Sequence, residues 1–298
     1  MINLHKLTTE QRNPRSMNLD QMTPLDIITL MNQEDYHVIQ AIEKELPKIA
    51  QVIEWSTYSL RNQGRIIYLG AGTSGRLGLL DAAECPPTFG VDHNTVVGLL
   101  AGGEQAFVKA IEGAEDSSTL AQEEMQAIHV NEKDIVIGIA ASGRTPYVIH
   151  GLRYANRLGC KTVSIANNAD SEMAKEANLA IELVCGPEVL TGSTRLKAGT
   201  SQKLVLNMIS TASMIGLGKV YQNLMVDVMP TNQKLITRAE NIIMSATNCT
   251  QDEAKITLNL AHGKVKVAIT MILMQCDESQ ALTMLEQAQG HIRACVKQ

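Results

Sequence analysis

Two carboxylates, Glu84 and Glu115, occupy positions that suggest acid–base chemistry. Glu84 lies in the segment DAAECPPTFG, at the predicted end of a helix that a double proline stops. An acidic side chain is disfavoured there, because the helix macrodipole already places negative charge at that terminus. Glu115 lies in EGAEDS, between two helical patterns. Their separation of 31 positions does not establish that they meet, and a solvated surface carboxylate is the simpler interpretation of each.

A glycine-rich loop accompanies the first predicted strand. Gly70-Ala71-Gly72-Thr73-Ser74-Gly75 ends the apolar run RIIYLG and precedes a helical pattern. This loop has the form G-x-G-x-x-G of dinucleotide-binding turns, and Asp92 follows Gly70 by 22 positions. A dinucleotide site is therefore one open interpretation of the loop.

Two further hydroxyl-rich loops favour a different ligand. ASGRTP at 141–146 also follows an apolar run and opens a helix, and TGSTRLKAGT at 191–200 leads into a long helical pattern. Such turns combine backbone N–H groups at helix N-termini with Ser and Thr hydroxyls, which suits a compact monophosphate. The predicted phosphate-binding residues are Thr73, Ser74, Gly75, Ser142, Gly143, Thr145, Ser193 and Thr194.

Other kinds of site lack their sequence patterns. No Gly-Lys-Ser/Thr follows the first loop, which excludes a P-loop nucleotide site. The 7 histidines and 6 cysteines show no metal-ligand spacing, so no metal site is expected. Cys85, beside Glu84, has no adjacent base and is predicted to be a packed thiol.

Composition and charge restrict the class of protein. The net charge is −5, and no basic stripe is interleaved with the scarce aromatic residues (3%), so nucleic-acid binding is not expected. No apolar run is long enough to span a membrane, and the N-terminal segment lacks the apolar core of a signal peptide. Scattered cysteines without C-x-x-C are typical of reduced thiols, which favours a cytoplasmic protein.

The loops must be positioned by alternating strands and helices. Apolar runs predict buried parallel strands at residues 65–70, 96–100, 134–140, 161–166 and 179–184. Helical patterns lie between them near residues 74–83, 104–112, 117–127, 146–158 and 171–177. This alternation predicts an α/β fold with a mainly parallel sheet.

Helical patterns flank the α/β region. An extended polar arm is predicted over residues 1–22, followed by two helices over 23–63 that Pro47 separates and Gly64 ends. A long helix is predicted over 200–220 and about four short helices over 234–288. The predicted segments are an N-terminal arm with helices (1–54), an α/β domain (55–220) and a C-terminal helical subdomain (221–298).

Several motifs together resemble the N-acetylmuramic acid 6-phosphate etherases: GAGTSGRLG, DAAECPPTFG, AGGE, EGAEDS, GIAASGRTPYV, GPEVLTGSTRLKAGTSQK and NLMVDV. The resemblance covers nearly the whole chain in matching order. Its most specific parts are ECPPTFG and EGAED together with GIAASGRTPYV. The wider set is the sugar isomerase (SIS) superfamily, which includes the glucokinase regulatory protein.

The resemblance implies a three-layer SIS-type α/β sandwich with a mainly parallel sheet and a small all-helical C-terminal subdomain, used as a homodimer. It implies a carbon–oxygen lyase that turns N-acetylmuramic acid 6-phosphate and water into N-acetylglucosamine 6-phosphate and D-lactate in cell-wall sugar recycling. No metal or organic cofactor is expected. By the family pattern, Glu84 is the catalytic proton donor and Glu115 the second catalytic carboxylate.

Three other functions remain open from the residues. An aldose–ketose isomerase of the same fold would share deprotonation at C2 but would need no acid at C3. A non-catalytic sugar-phosphate sensor would bind the ligand without turnover. A dinucleotide-dependent enzyme would use the first glycine-rich loop for a pyrophosphate.

Overall fold

The computed structural model describes residues 7–109, 111–228 and 233–296. The five predicted strands are present within these ranges, each ending within two residues of its predicted limits: β1 Ile66–Gly70, β2 Val96–Leu100, β3 Ile135–Ala140, β4 Lys161–Ala166 and β5 Leu179–Glu182. They form one parallel sheet in the order β2-β1-β3-β4-β5. The predicted α/β class with a parallel sheet is confirmed.

Helices precede, connect and follow these strands: α1 Pro24–Arg61, α2 Gly72–Phe89, α3 Gln105–Val108, α4 Leu120–Ala127, α5 Pro146–Arg157, α6 Glu172–Glu176 and α7 Lys197–Gly216. Helix α3 is shorter than the predicted 104–112, of which Ala110 lies outside the described residues. Helix α7 begins three residues before the predicted position 200, so the preceding loop is shorter than expected.

The central strands are apolar and buried throughout because helices cover both faces of the sheet. Every residue of β1 and β3 is buried. Ile67 and Leu69 pack in one cluster with residues of α4 and α5. Tyr68 points to the opposite face, where a Cβ placed on Gly78 of α2 would lie 2.8 Å from Tyr68 Cβ. Successive residues of a strand point to opposite faces, so this arrangement gives three layers.

The prediction that Pro47 divides the first helical region was wrong. Helix α1 runs for 38 residues with Pro47 inside it. Proline removes one backbone N–H and normally kinks or ends a helix. Buried Ala41, Ile42, Ile49 and Val52 hold the turns on both sides, so packing overrides the local signal.

The prediction that a double proline ends the second helix was also wrong. Helix α2 continues through Pro86 and Pro87 to Phe89, and the Gly90 N–H donates to the Pro86 carbonyl oxygen. Cys85 and Phe89 are buried and hold the last turns in place. Glu84 therefore does not lie at a helix C-terminus, and the dipole argument for its position no longer applies.

The N-terminal segment is folded rather than extended. Residues 1–6 of the predicted arm lie outside the described residues. The remainder forms three short 3-10 helices at Thr8–Glu10, Pro14–Ser16 and Leu19–Gln21. The Thr8 N–H donates to Asn168 Oδ1 at 2.7 Å, which attaches this segment to the residues that follow β4.

The C-terminal region contains a short antiparallel hairpin and then helices. The hairpin strands are β6 Val220–Tyr221 and β7 Leu224–Met225. The helices are α8 Gln233–Thr247, α9 Gln251–Leu260, α10 Val265–Met274, α11 Glu278–Gln287 and α12 Ile292–Val296. Thr250 and Asp277 cap α9 and α11, as their acidic or Thr starts predicted. The predicted helical subdomain is confirmed, with the hairpin as an addition.

The chain divides into two compact units. The first unit contains the described residues up to Ala83 together with Asn94–Ser210, and the second contains Glu84–His93 with the described residues from Thr211 onward. The boundaries predicted at 54/55 and 220/221 stay a prediction.

Among the described helices, no single one is long and apolar enough to cross a membrane. The pair α9 and α10 meets the length and composition criterion only together, across a bend of 114°.

Candidate active site

The first two serine loops lie at the point where the strand order of the sheet reverses. Strand β1 has β2 on one side and β3 on the other, so the connections leaving β1 and β3 run in opposite directions. In open α/β sheets, ligands bind outside the carboxyl ends of the strands at such a point. Gly70 ends β1 and Ala140 ends β3, and each is followed directly by one of the two loops.

The first loop is held tightly against the end of β1. Helix α2 begins at Gly72, so Thr73, Ser74 and Gly75 form its first turn. A Cβ on Gly75 would lie 2.4 Å from the Gly70 carbonyl oxygen. Ser74 is buried, whereas Thr73 is partly exposed. Only glycine permits this close approach of the helix N-terminus to the strand.

The guanidinium of Arg76, which follows the first loop, is hydrogen-bonded to backbone carbonyl groups of the same unit. Its Nε donates to the Phe107 carbonyl oxygen at 2.8 Å, and its Nη2 donates to the Ala106 carbonyl oxygen at 2.7 Å. The shared Ser-Gly-Arg pattern therefore includes an arginine that ties α2 to α3.

The second loop is shaped by Gly143. Gly143 has φ +70°, and its carbonyl oxygen accepts the Met173 N–H at 3.0 Å. The Arg144 N–H donates to Ser142 Oγ at 3.3 Å. Thr145 precedes α5 at the N-cap position, but its hydroxyl makes no capping hydrogen bond. Ser142 and Thr145 are both partly exposed beside the first turn of α5.

Replacement of Gly143 by Ala is expected to destabilise the first unit by more than about 1 kcal/mol, because a side chain is strained at positive φ and meets a clash. The added Cβ would lie 2.3 Å from Ser171 Cβ. The loss is measured by urea unfolding followed through the fluorescence of Trp55, the only tryptophan, in α1 of the same unit.

Gly103→Ala is the matched control for this substitution. Gly103 has φ +71°, and a Cβ there would meet nothing within 4 Å. Equal losses for the two variants would contradict the steric part of the argument.

Glu115 is placed next to the second loop by the backbone. Its carbonyl oxygen accepts the Tyr147 N–H at 3.0 Å, in the first turn of α5. Its carboxylate side chain is exposed. The structure thus brings Glu115 and the Ser142–Thr145 loop together, a proximity that sequence spacing did not establish.

Tyr147 also anchors this region through its side chain. The ring is fully buried, and the hydroxyl donates to a carboxylate oxygen of Glu124 in α4. Burial raises the pKa of Glu124 above its ordinary value, although the bond from Tyr147 opposes the rise. The Tyr147–Glu124 contact joins α4 to α5, so Tyr147 bonds both to the Glu115 backbone and to the helix that follows Glu115. Sequence analysis missed this pair.

Glu84 lies on an exposed position of α2, inside the helix rather than at its end. It belongs to the second compact unit, whereas Glu115 and the serine loops belong to the first. Within the first unit, the structure therefore gathers Glu115 and the loops. The partnership of Glu84 with them stays a prediction.

The third loop reaches the first through the start of α7. Ser193 and Thr194 are partly exposed in the turn before α7, and the Thr194 carbonyl oxygen accepts the Gly199 N–H at 2.9 Å. A Cβ on Gly199 would lie 3.5 Å from Thr73 Cγ2, so Thr73 of the first loop packs on this turn.

Buried charges stabilise the N-terminus of α7, and sequence analysis did not identify them. The Glu188 carboxylate accepts the backbone N–H groups of Lys197 and Ala198 at 3.1 and 2.9 Å. Burial raises the pKa of Glu188, and these two bonds oppose the rise. Lys197 Nζ lies 2.6 Å from Glu34 Oε2, and the two side chains are 1% and 4% exposed. Lys197 and Glu34 are 163 positions apart, which hides the pair from local sequence patterns.

Potential metal ligands do not converge. In the described ranges, no group of three or more His, Cys, Asp or Glu side chains could hold a metal ion. The six cysteines, all of which the structure describes, form no disulfide, and Cys85 is buried as predicted. Burial, followed by the charge of Asp134, raises the pKa of Cys160 to about 12, so this thiol is a poor nucleophile.

Comparison with known proteins identifies relatives over the whole chain and over its parts. Residues 48–156 match the family model of the glucokinase regulatory protein N-terminal SIS domain, and residues 114–212 match that of the SIS domain. A phosphoheptose isomerase from Francisella tularensis superposes with a TM-score of 0.50 at 18% identity, over 65% of this chain and 100% of the other. That likeness shows the fold.

Two relatives match at much higher identity. An N-acetylmuramic acid 6-phosphate etherase of Francisella tularensis subsp. tularensis is 57% identical over 291 residues, covering 98% of this chain and 99% of the relative. A protein of the same name from Bacillus cytotoxicus is 57% identical over 290 residues, covering 97% and 99%. Because this identity extends over nearly the full length of both chains, the chain belongs to the N-acetylmuramic acid 6-phosphate etherase family.

Proposed function

We propose that this chain is a lyase that cleaves the D-lactyl ether of N-acetylmuramic acid 6-phosphate, giving N-acetylglucosamine 6-phosphate and D-lactate in cell-wall amino-sugar recycling. The 57% identity to etherases over nearly the full length carries the proposal. The placement of two serine loops at the strand-order reversal supports a sugar-phosphate ligand in the first unit.

The chemistry requires one base and one acid. With the sugar ring open, C1 is an aldehyde and the C2 proton becomes acidic. Glu115 removes that proton, the electron pair forms a C2–C3 double bond, and the C3–O bond breaks as Glu84 protonates the departing lactate oxygen. Water then adds to C3, and a solvent proton returns to C2. One ionised and one protonated carboxyl are needed at once, which two Glu in unlike environments can supply.

The hydroxyl-rich loops would hold the 6-phosphate. The proposed ligands are the backbone and side-chain donors of Thr73, Ser74, Gly75, Ser142, Gly143, Thr145, Ser193 and Thr194. Loops one and two each open a helix, whose free N–H groups favour an anion. Binding the phosphate there positions C2 and C3 relative to Glu115, which the backbone attaches to the second loop.

Ser74→Ala and Ser142→Ala are each expected to lower kcat/KM by an amount equivalent to about 1–3 kcal/mol, the cost of losing a hydrogen bond to a charged group. The measurement is steady-state lactate release, with folding checked by circular dichroism. The unphosphorylated sugar should react far more slowly than the 6-phosphate. Equal kcat/KM for the two sugars would rule out the phosphate role of these loops.

Activity is expected to survive treatment with EDTA, because the proposed mechanism uses carboxylates and no metal. Lactate release is compared between untreated protein and protein that has been treated with EDTA and then freed of it. A large loss that a divalent cation restores would overturn the carboxylate mechanism.

The deciding experiment is release of D-lactate from N-acetylmuramic acid 6-phosphate by the purified protein. An isomerase would produce a rearranged sugar phosphate instead, and a sensor would bind the substrate without turnover. A dinucleotide-dependent enzyme would respond to an added nicotinamide or flavin cofactor. Stoichiometric lactate and N-acetylglucosamine 6-phosphate without such an addition supports the etherase.

We also infer that the chain acts as a homodimer in the cytoplasm, with no nucleic-acid or membrane partner. The family resemblance supports the dimer, and six cysteines without a disulfide suit a reducing compartment. Light scattering should give twice the chain mass, and a monomeric mass at working concentration would refute the dimer.

A further inference from the structure

Two lysines of the second unit share one carboxylate oxygen. Lys266 Nζ lies 2.7 Å from Asp227 Oδ2, and Lys219 Nζ lies 3.0 Å from the same atom. The side chains of Lys266, Lys219 and Asp227 are 13%, 22% and 18% exposed, so all three are largely withdrawn from water. Asp227 belongs to the NLMVDV motif, which the proposed reaction does not use.

One carboxylate cannot neutralise two ammonium groups, so this cluster carries a net positive charge. Burial lowers the pKa of Lys266, Asp227 opposes the shift, and Lys219 adds to it. Like charges repel most strongly where water is scarce. An anion in contact with the ammonium groups would relieve this repulsion.

A cavity beside the cluster has room for such an anion. Its volume is about 350 Å³, and Lys219, Asp227, His262 and Lys264 contribute its polar lining. Glu278 adjoins this lining, with its Oε2 3.4 Å from His262 Nε2. Two lysines, Lys219 and Lys264, and one aspartate line the cavity, and Lys266 adds a third ammonium group through its contact with Asp227.

The backbone around the cluster is closely packed. Gly90 has φ +61°, and a Cβ there would lie 2.2 Å from the Asp227 carbonyl oxygen. Gly218, next to Lys219, packs in the same way, with a Cβ position 2.6 Å from the Gly290 backbone. Close backbone packing beside Asp227 and Lys219 keeps the cluster preorganised, which favours binding over rearrangement.

We propose that the cavity beside Lys219, Asp227 and Lys266 binds a small oxyanion, either a phosphomonoester or a carboxylate. Lys219 and Lys264 contact the ligand directly, and Lys266, whose Nζ lies 2.7 Å from Asp227 Oδ2, contributes positive charge. The site is formed by residues of the second unit alone.

Calorimetric titration with inorganic phosphate at constant ionic strength tests the proposal. The full chain carries Ser74→Ala and Ser142→Ala in this experiment, so that phosphate binding at the serine loops is weakened. We expect Lys219→Gln to reduce affinity about tenfold, the effect of one lost charge-assisted contact. Lys255→Gln is the control, because Lys255 is an exposed lysine of α9 in the same unit, and it should change nothing.

Asp227→Asn gives a result of opposite sign. Removal of the carboxylate leaves both ammonium groups free to bind, so phosphate affinity should rise.

A titration with acetate distinguishes the two ligand classes, since tighter binding of phosphate indicates a phosphomonoester and tighter binding of acetate a carboxylate. Equal binding of chloride, or equal affinities for the Lys219→Gln and Lys255→Gln variants, would overturn the site. Lactate release is assayed separately, so failure here leaves the proposed reaction intact.

Discussion

Glu115→Gln should abolish both lactate release and hydrogen exchange at C2, because it removes the group that takes the C2 proton. Glu84→Gln should lower lactate release by roughly 10²–10⁴-fold, the usual contribution of general acid catalysis. It should still permit slow exchange at C2, because the base at Glu115 remains. The two steps of the elimination are therefore separable in two variants.

The measurement is made in D₂O with product analysis by NMR. The wild-type product should carry deuterium at C2, since the addition of water returns a solvent proton there. Exchange into unreacted substrate is followed in the same samples. Glu112→Gln is the matched control, because Glu112 is exposed in the same loop as Glu115 and has no assigned role.

Each alternative pattern has a definite meaning. Loss of exchange in Glu84→Gln with retained exchange in Glu115→Gln would reverse the two roles. An isomerase would show hydrogen exchange at C2, and its turnover would be the same in Glu84→Gln as in the wild type. Unchanged lactate release in both variants would remove the carboxylate pair from the mechanism.

Lys197→Met should destabilise the first unit by about 3–5 kcal/mol, the cost of leaving a buried charge without its partner. Glu34 also accepts hydrogen bonds from Asn13 Nδ2 at 2.8 Å and from Arg15 Nη1 at 2.9 Å, but Lys197 is its only fully buried cationic partner among the described residues. Urea unfolding followed by Trp55 fluorescence reports on this unit.

Two further variants separate charge from packing. Lys203→Met changes an exposed lysine of the same helix and should cost less than about 0.5 kcal/mol. The double variant Glu34→Gln with Lys197→Met removes both charges and should be more stable than Lys197→Met alone. A double variant as unstable as the single one would show that lost packing, not the unpaired charge, dominates.

The same pair predicts an acid dependence of stability. Burial alone would raise the pKa of Glu34, but Lys197, Asn13 and Arg15 outweigh it and hold the pKa below its ordinary value. Below about pH 4.3 the unfolded chain binds a proton that the folded chain does not, so stability falls as the pH falls. This fall should be shallower in Lys197→Met, and an unchanged profile would contradict the assignment.

The strands and loops could be predicted because their signals are local. Parallel strands buried on both faces are continuous apolar runs, so β1 and β3 were predicted to within one residue of their observed limits. The helix boundaries predicted at the prolines were wrong, because the rule that proline ends a helix takes no account of packing. Buried residues on both sides of Pro47, and Cys85 and Phe89 around the double proline, override it.

The residue types of the candidate site could be predicted, but the tertiary contacts that hold these residues in place could not. Serine loops at helix starts have a recognisable local pattern. The bond from Tyr147 to the Glu115 carbonyl oxygen, by contrast, joins residues that only the folded chain brings together. The contact between Thr73 and Gly199 joins residues that lie still further apart in the sequence. Such tertiary pairs leave no periodicity that a single sequence reveals.

The long separation between Glu34 and Lys197 has a consequence during protein synthesis. Lys197 is added 163 residues after Glu34, which at about 5–20 residues per second takes roughly 10–30 s. From the completion of α1 to the synthesis of α7, the nascent chain contains Glu34 without the helix that supplies its buried partner charge. Burial of Glu34 without Lys197 costs free energy, so we expect the N-terminal helix to take its final place on the sheet only after most of the first unit has left the ribosome.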